Sequence, residues 1–319
     1  MAESMMDEGT PGPAPAGEEA RALPYLYRAF GLTIASEIAF PELLPGEGEP
    51  DVRVVYGAVP EHLDAPVKTG VLFEAAKDNY LLRVDGVARY LARHGREVLV
   101  NRAEGAQDSD VRALLLGSVV TALLHQRNVL VLHAGGVVGR TGAVLIAGHS
   151  GQGKSTLLAA LAERGYPIVA DDEAAITFDS AGQPFVHPAY PRLKLWADAV
   201  SRLGRDPADM PRVRAKAGKY AFSVEPGFTQ HQVPVAHLCV LERGDDSFPR
   251  VEPVSDSDGF TTVRQQTRNP RVLQGLGQLA EHFVLAARFA AQVPISRVAR
   301  PRDGDTVAEI ATLIQALLA

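Results

Sequence analysis

The chain has 319 residues, of which 46% are apolar and 22% charged, and a formal net charge of -6. That is the make-up of a globular protein with ample core, in one large domain or a large and a small one, and it argues against bulk nucleic-acid binding. The single cysteine, Cys239, excludes an internal disulfide and a cysteine-built zinc site; inside the apolar run HLCVL it is expected in the core of a cytoplasmic protein.

Residues 1 to 20 carry Pro11, Pro13 and Pro15 among Gly, Ala and Glu, too little apolar surface to order a chain, and are expected to form a disordered tail. Their first ten residues, MAESMMDEGT, have neither the basic region nor the apolar core of a signal peptide. Residues 21–107 are expected to form a small β-rich domain of antiparallel strands. Its segments RAFGLTIAS, PDVRVVYG, VLFEAA, NYLLRVDG and EVLVNR are each bounded by turn residues. Ser109 is placed to cap a buried helix over Val111 to His125, and residues 108–319 are expected to form the second domain. The apolar run Leu114 to Leu124 is too short to cross a bilayer, so no membrane partner is expected.

After this helix the spacing predicts strands at Val129–His133, Gly135–Val138 and Val144–Ala147. A helix follows over Lys154–Arg164, stopped by Gly165, and then a strand over Ile168–Asp172. The loop between strand and helix reads GHSGQGKST and fits G-x-x-x-x-G-K-[ST]. In such a loop the backbone N–H groups of Gly148, His149, Ser150, Gly151, Gln152 and Gly153 turn toward phosphate oxygens. Lys154 reaches the β- and γ-phosphates, and Ser155, followed by Thr156, offers a hydroxyl to magnesium at a helix N-terminus. ATP and Mg2+ are therefore the expected nucleotide and metal.

Asp171 and Asp172 end the next strand, and two adjacent acids can divide the work of positioning a metal and accepting a proton. His133 is placed to reach them. Ala175–Phe178 and Pro184–His187 read as a hairpin around DSAGQ. Between Arg192 and Lys219, eight basic residues (Lys216 among them) face three acidic ones in an otherwise acidic protein; Arg192, Lys194 and Lys219 abut ordered-looking sequence and are the preferred phosphate or substrate ligands. Trp196, the only tryptophan, is expected as a packing anchor. Strands near Val235–Glu242 and Ile295–Ala299 and helices near Leu276–Ala290 and Val307–Leu318 complete the chain, the last with Thr306 and Glu309 spaced as a capping box.

The blocks LHAGGVV, GHSGQGKST and RGYPIVADDEAAI resemble those of the HPr kinase/phosphorylase-like superfamily. PAYPRLKLW and FGLTIASEIAFPEL resemble its bacterial relatives associated with lasso-peptide biosynthesis. The resemblance spans Phe30 to Leu241. It implies an α/β fold, with a P-loop kinase core of HPr-kinase C-terminal type behind a small N-terminal β-rich (α+β) domain. It implies a serine kinase acting on a peptide or protein, in particular the C-terminal serine of a lasso precursor, and an assembly of several copies. It puts the proton-accepting role on Asp171, with His133 and Asp172 in support and Asp172 beside Ser155 at the metal. The E-x-R-G-x-G block of HPr kinases is absent, with YPRLKLW in its place, which turns the reading away from HPr as substrate. A metabolite kinase keeps the same loop and acids. A transporter-type ATPase fits less well, because no LSGGQ occurs and the acid pair follows Lys154 by only seventeen residues.

Overall fold

The computed structural model describes residues 23–215, 218–244, 247–301 and 304–319; the tail expected over residues 1 to 20 and Lys216 of the basic segment lie outside them. The protein is a mixed α/β structure built on two nine-stranded sheets and a separate two-stranded ribbon.

The first sheet contains β1 (Tyr25–Ala29), β2 (Leu32–Ser36), β3 (Leu44–Pro45), β4 (Val52–Tyr56), β5 (Lys68–Thr69), β6 (Phe73–Ala76), β7 (Asn79–Val84), β8 (Ala88–Arg93) and β9 (Glu97–Arg102), in the order β3-β1-β2-β4-β9-β8-β7-β6-β5. RAFGLTIAS is two strands and not one. Phe30 and Gly31 both take positive φ, closing a two-residue hairpin between β1 and β2. The sheet is also not wholly antiparallel, since β4 runs parallel to both β2 and β9. From β2 the chain crosses to the outer side of β1 as β3 before returning, and a detour of that length lets β4 enter in the direction of β2.

A continuous helical segment leads to the second sheet: α1 (Asp108–Leu114), a π-helical turn at Leu115–Val119, and α2 (Val120–Gln126). Gln107, not Ser109, is its N-cap. Leu115, Leu116, Val119, Leu123 and Leu124 are buried in one cluster that includes Val54 and Tyr90 of the first sheet and Leu130 and Leu145 of the second.

The second sheet is formed by β10 (Leu130–Leu132), β11 (Ala134–Val138), β12 (Ala143–Gly148), β13 (Ile168–Ala170), β14 (Ala174–Phe178), β15 (Pro184–Val186), β18 (Val233–Gly244), β19 (Arg250–Pro253) and β20 (Ile295–Pro301). The hairpin β14–β15 forms as the turn residues predict, with Asp179 Oδ1 accepting the Gln183 N–H at 2.8 Å. Between β12 and β13 runs α3 (Lys154–Glu163), stopped by Gly165 at φ +89°. β12 and β13 are not neighbours: β11 lies between them, antiparallel to both, while β12 pairs in parallel with β18. The Gly135-Gly136 pair in β11 makes this layering fit. A Cβ on Gly135 would stand 2.2 Å from Leu158 Cδ1 of α3, and one on Gly136 would stand 2.6 Å from Val169 Cγ1 of β13.

The ribbon pairs β16 (Arg192–Trp196) with β17 (Lys219–Ser223), α4 (Ala197–Arg202) following β16. Helices α5 (Asp256–Gln265), α6 (Pro270–Gly275), α7 (Leu279–Gln292) and α8 (Val307–Leu318) complete the molecule. The expected capping box on α8 does not form. Thr306 is the N-cap residue but makes no capping bond, and Asp305 Oδ1 accepts the Val307 N–H at 3.1 Å instead. Among the described residues, no helix is long and apolar enough to cross a membrane.

Candidate functional site

The loop from Gly148 to Thr156 leaves the C-terminal end of β12 and enters α3. Gly148, Gly151 and Gly153 take φ of +136°, +82° and +89°, conformations that glycine adopts without strain. Lys154 is the first residue of α3, and its side chain folds back under the loop. Its ammonium donates to Gly148 O at 2.8 Å and His149 O at 3.3 Å, and lies 3.1 Å from His133 Nε2. Burial lowers its pKa.

The register of β11 on β12 explains why His133 is there. Ala134 lies opposite Ala147, so the preceding residue falls beside Gly148 at the mouth of the loop. An ammonium group only donates, so its contact calls for a lone pair on Nε2. Nδ1 faces partners of both kinds: the acceptors Asp172 Oδ1 and Asp172 O, each at 3.1 Å, and the donor Arg268 Nη1 at 3.2 Å.

The two acids separate because Asp172 adopts a left-handed φ of +72° immediately beyond β13. Asp171 points inward and is 3% exposed. It accepts the Ser155 hydroxyl at 2.9 Å and the Lys194 N–H at 2.8 Å, and burial together with the Asp172 charge raises its pKa. Asp172 points into the cavity. Burial opposes its ionisation, but His133, Lys194 at 3.3 Å and Arg268 at 3.2 Å outweigh that and hold its carboxyl far below the usual carboxylate range. Ser155 was expected to share a metal with Asp172; in the structure its hydroxyl is bound to Asp171.

Behind the acids, Glu173 is fully buried between Arg268 (2.9 Å) and Lys194 (3.5 Å). Burial raises the Glu173 pKa, and the surrounding acids keep Lys194 charged despite its own burial. Glu173 extends the acid pair already visible in the sequence. Arg268, 95 residues further on, lies just beyond α5, and nothing in its local sequence marked it.

The loop, His133, Asp172, Lys194 and Lys219 line a cavity of about 250 Å³ together with Trp196, Arg202, Arg243 and Arg300. Trp196 is not the expected packing anchor: it is 49% exposed at this cavity wall. Arg300 donates to Gln152 O at 2.8 Å, and its buried Nε has no partner among the described residues. Arg192 does not join the cavity. It donates to Pro41 O at 3.0 Å and lies 3.5 Å from Glu42, in a second cavity of about 160 Å³ that shares Lys194 with the first.

No family model and no curated protein matches this chain. Among solved structures it is similar to the Hpr(Ser) kinase/phosphatase from Coxiella burnetii, at 15% identity over 58% of this chain and 94% of that one, with a TM-score of 0.33. So distant a likeness says nothing of what this chain does.

The oxygens around the loop suit magnesium. Among the described residues no cluster of three or more His, Cys, Asp and Glu side chains is arranged to hold a metal. A hydroxyl and carboxylate already in contact, Ser155 and Asp171, match the way Mg2+ is commonly held, by one or two protein oxygens with the rest from substrate phosphates and water.

Proposed function

We propose that the protein is an ATP-dependent phosphotransferase that moves the γ-phosphoryl group of ATP to a hydroxyl acceptor. The observation that carries this reading is the convergence in one cavity of the glycine-rich loop, Lys154 and an Asp172–His133 pair. Loop N–H groups and Lys154 would hold the β- and γ-phosphates, with Arg300 and Lys219 adding positive charge around them. Ser155 and Asp171 would hold the magnesium ion, which when bound neutralises charge developing on the phosphates.

Proton transfer falls to His133. Asp171 is buried with its oxygens engaged by the Ser155 hydroxyl and the Lys194 N–H, and the carboxyl of Asp172 is held too acidic to take a proton readily. Asp172 would instead orient the ring, accepting from Nδ1 with the ring proton placed there. Once a phosphate draws Lys154 away, Nε2 faces the cavity with its lone pair free. Lys194, held by Asp172 and Glu173, would steer the transferring group and marks the junction with the second cavity, from which the acceptor would enter.

The acceptor we assign is a serine hydroxyl of a peptide or protein, with the C-terminal serine of a lasso precursor as the first substrate to try, on the strength of the sequence resemblance. Incubation with ATP, magnesium and such a peptide, followed by intact-mass measurement, should show addition of a phosphoryl group. The same peptide ending in alanine should stay unmodified. Consumption of ATP with small hydroxylated metabolites but not with the peptide would move the acceptor to a metabolite. No transfer to either class of acceptor would sink the proposal.

A further inference from the structure

We propose that Trp196 is the platform on which the purine base of the donor nucleotide stacks, so that the donor is a nucleoside triphosphate and not an inorganic polyphosphate. This rests on the phosphotransfer reading above and adds to it which donor is used and where its base lies.

The ribbon β16–β17 has two faces. Leu193, Leu195, Tyr220 and Phe222 point inward and are buried in one cluster. On the other face Lys194 and Trp196 alternate along β16 opposite Ala221 and Lys219 of β17. Proceeding along this face, Arg192 belongs to the second cavity, Lys194 to both, and Trp196 only to the cavity of the glycine-rich loop. Lys194 lies against the two acids. The exposed indole is therefore on the donor side of the transfer point, and the acceptor side begins at Arg192.

The rest of that cavity wall matches a nucleotide. Loop N–H groups, Lys154, Arg243 and Arg300 make one part strongly cationic, as a triphosphate requires. Apart from the His133 imidazole beside Lys154, Trp196 supplies the one aromatic surface among the described residues lining it, as a base requires. Lys219 Nζ lies over the indole ring, 5.5 Å from its centroid, so the base would stack on the ring face that Lys219 leaves open. The polar neighbour Asp198 is taken up by Arg202 at 2.7 Å. Recognition through the ring face alone makes ATP and GTP near-equivalent donors.

Trp196 is the only tryptophan, so its fluorescence reports on this position alone. ATP and GTP, each with magnesium, should quench it, while tripolyphosphate with magnesium should bind without comparable quenching. By calorimetry, Trp196→Leu should raise the Kd for ATP about tenfold or more, the scale of one lost base–aromatic stack, and leave that for tripolyphosphate unchanged within about twofold. Trp196→Phe should recover most of the ATP affinity. Binding of ATP and tripolyphosphate to wild type with equal affinity, or equal loss of both in Trp196→Leu, would overturn the assignment of the base while leaving phosphate binding intact. Failure of wild type to bind either would overturn the phosphotransfer reading itself, and this assignment with it.

Discussion

Lys154 Nζ stands 3.1 Å from His133 Nε2, so the residue placed to hold phosphate also occupies the lone pair placed to take a proton. On the proposed function, donor binding and base activation would be one event. His133→Gln should lower turnover about 10²- to 10⁴-fold with nucleotide affinity little changed. A variant with wild-type turnover would deny His133 the role of base.

Asp171 and Asp172 should fail differently when replaced. Asp171→Asn keeps the shape that receives the Ser155 hydroxyl but removes the charge, so the magnesium concentration for half-maximal rate should rise about 10- to 100-fold. Asp172→Asn should lower the rate at every magnesium concentration. Metal titrations of the two variants distinguish them directly.

Arg268, at 2.9 Å, is the nearer of the two counter-charges to fully buried Glu173 and a partner of Asp172. Arg268→Ala leaves buried negative charge with Lys194 as its remaining strong partner, a loss of about 3 to 5 kcal/mol. Chemical denaturation should register that loss, and Glu173→Gln in the same chain should recover part of it.

The depressed pKa of Asp172 fixes the sign of a pH effect. A carboxylate favoured in the folded state contributes stability above its unfolded pKa, about 4, and loses it as pH falls from there toward the lower folded value. The difference in Tm between wild type and Asp172→Asn should be widest near neutral pH and narrow below about pH 4. A constant difference would show that the stabilisation does not come from the ionised group.

Gly135→Ala tests the layering under the site without touching its chemistry. The added methyl group meets Leu158 and the Ala170 carbonyl, and overpacking of this kind costs about 1 to 3 kcal/mol. The variant should melt earlier yet turn over normally at low temperature.

Much of this site was legible because its residues lie close together in the chain. The glycines, Lys154, Ser155 and the acid pair fall within 25 positions, and their strand and helix announce themselves by apolar run and Gly165 stop. Three features were not legible. The direction of each acid depends on one left-handed residue, Asp172, whose conformation is tied to the Glu173 N–H to Asp171 O bond across it and to tertiary ion pairs. Arg268 and Arg300 arrive through tertiary folding from positions with no local signature. The parallel β2–β4–β9 pairing is a property of connections, whereas the alternation of residues reveals only that strands exist.

One carboxylate adds a polar tie between two pieces of the molecule that already share an apolar cluster. Asp171 joins Ser155, on the helix behind the glycine-rich loop, to the peptide N–H of Lys194, in a ribbon whose strands pair with each other and with neither large sheet. It acts as a rivet through both. An ion competing for that carboxylate would also compete with the ribbon for it. On the proposed function, metal binding and the alignment of the two cavities would be coupled through this one side chain.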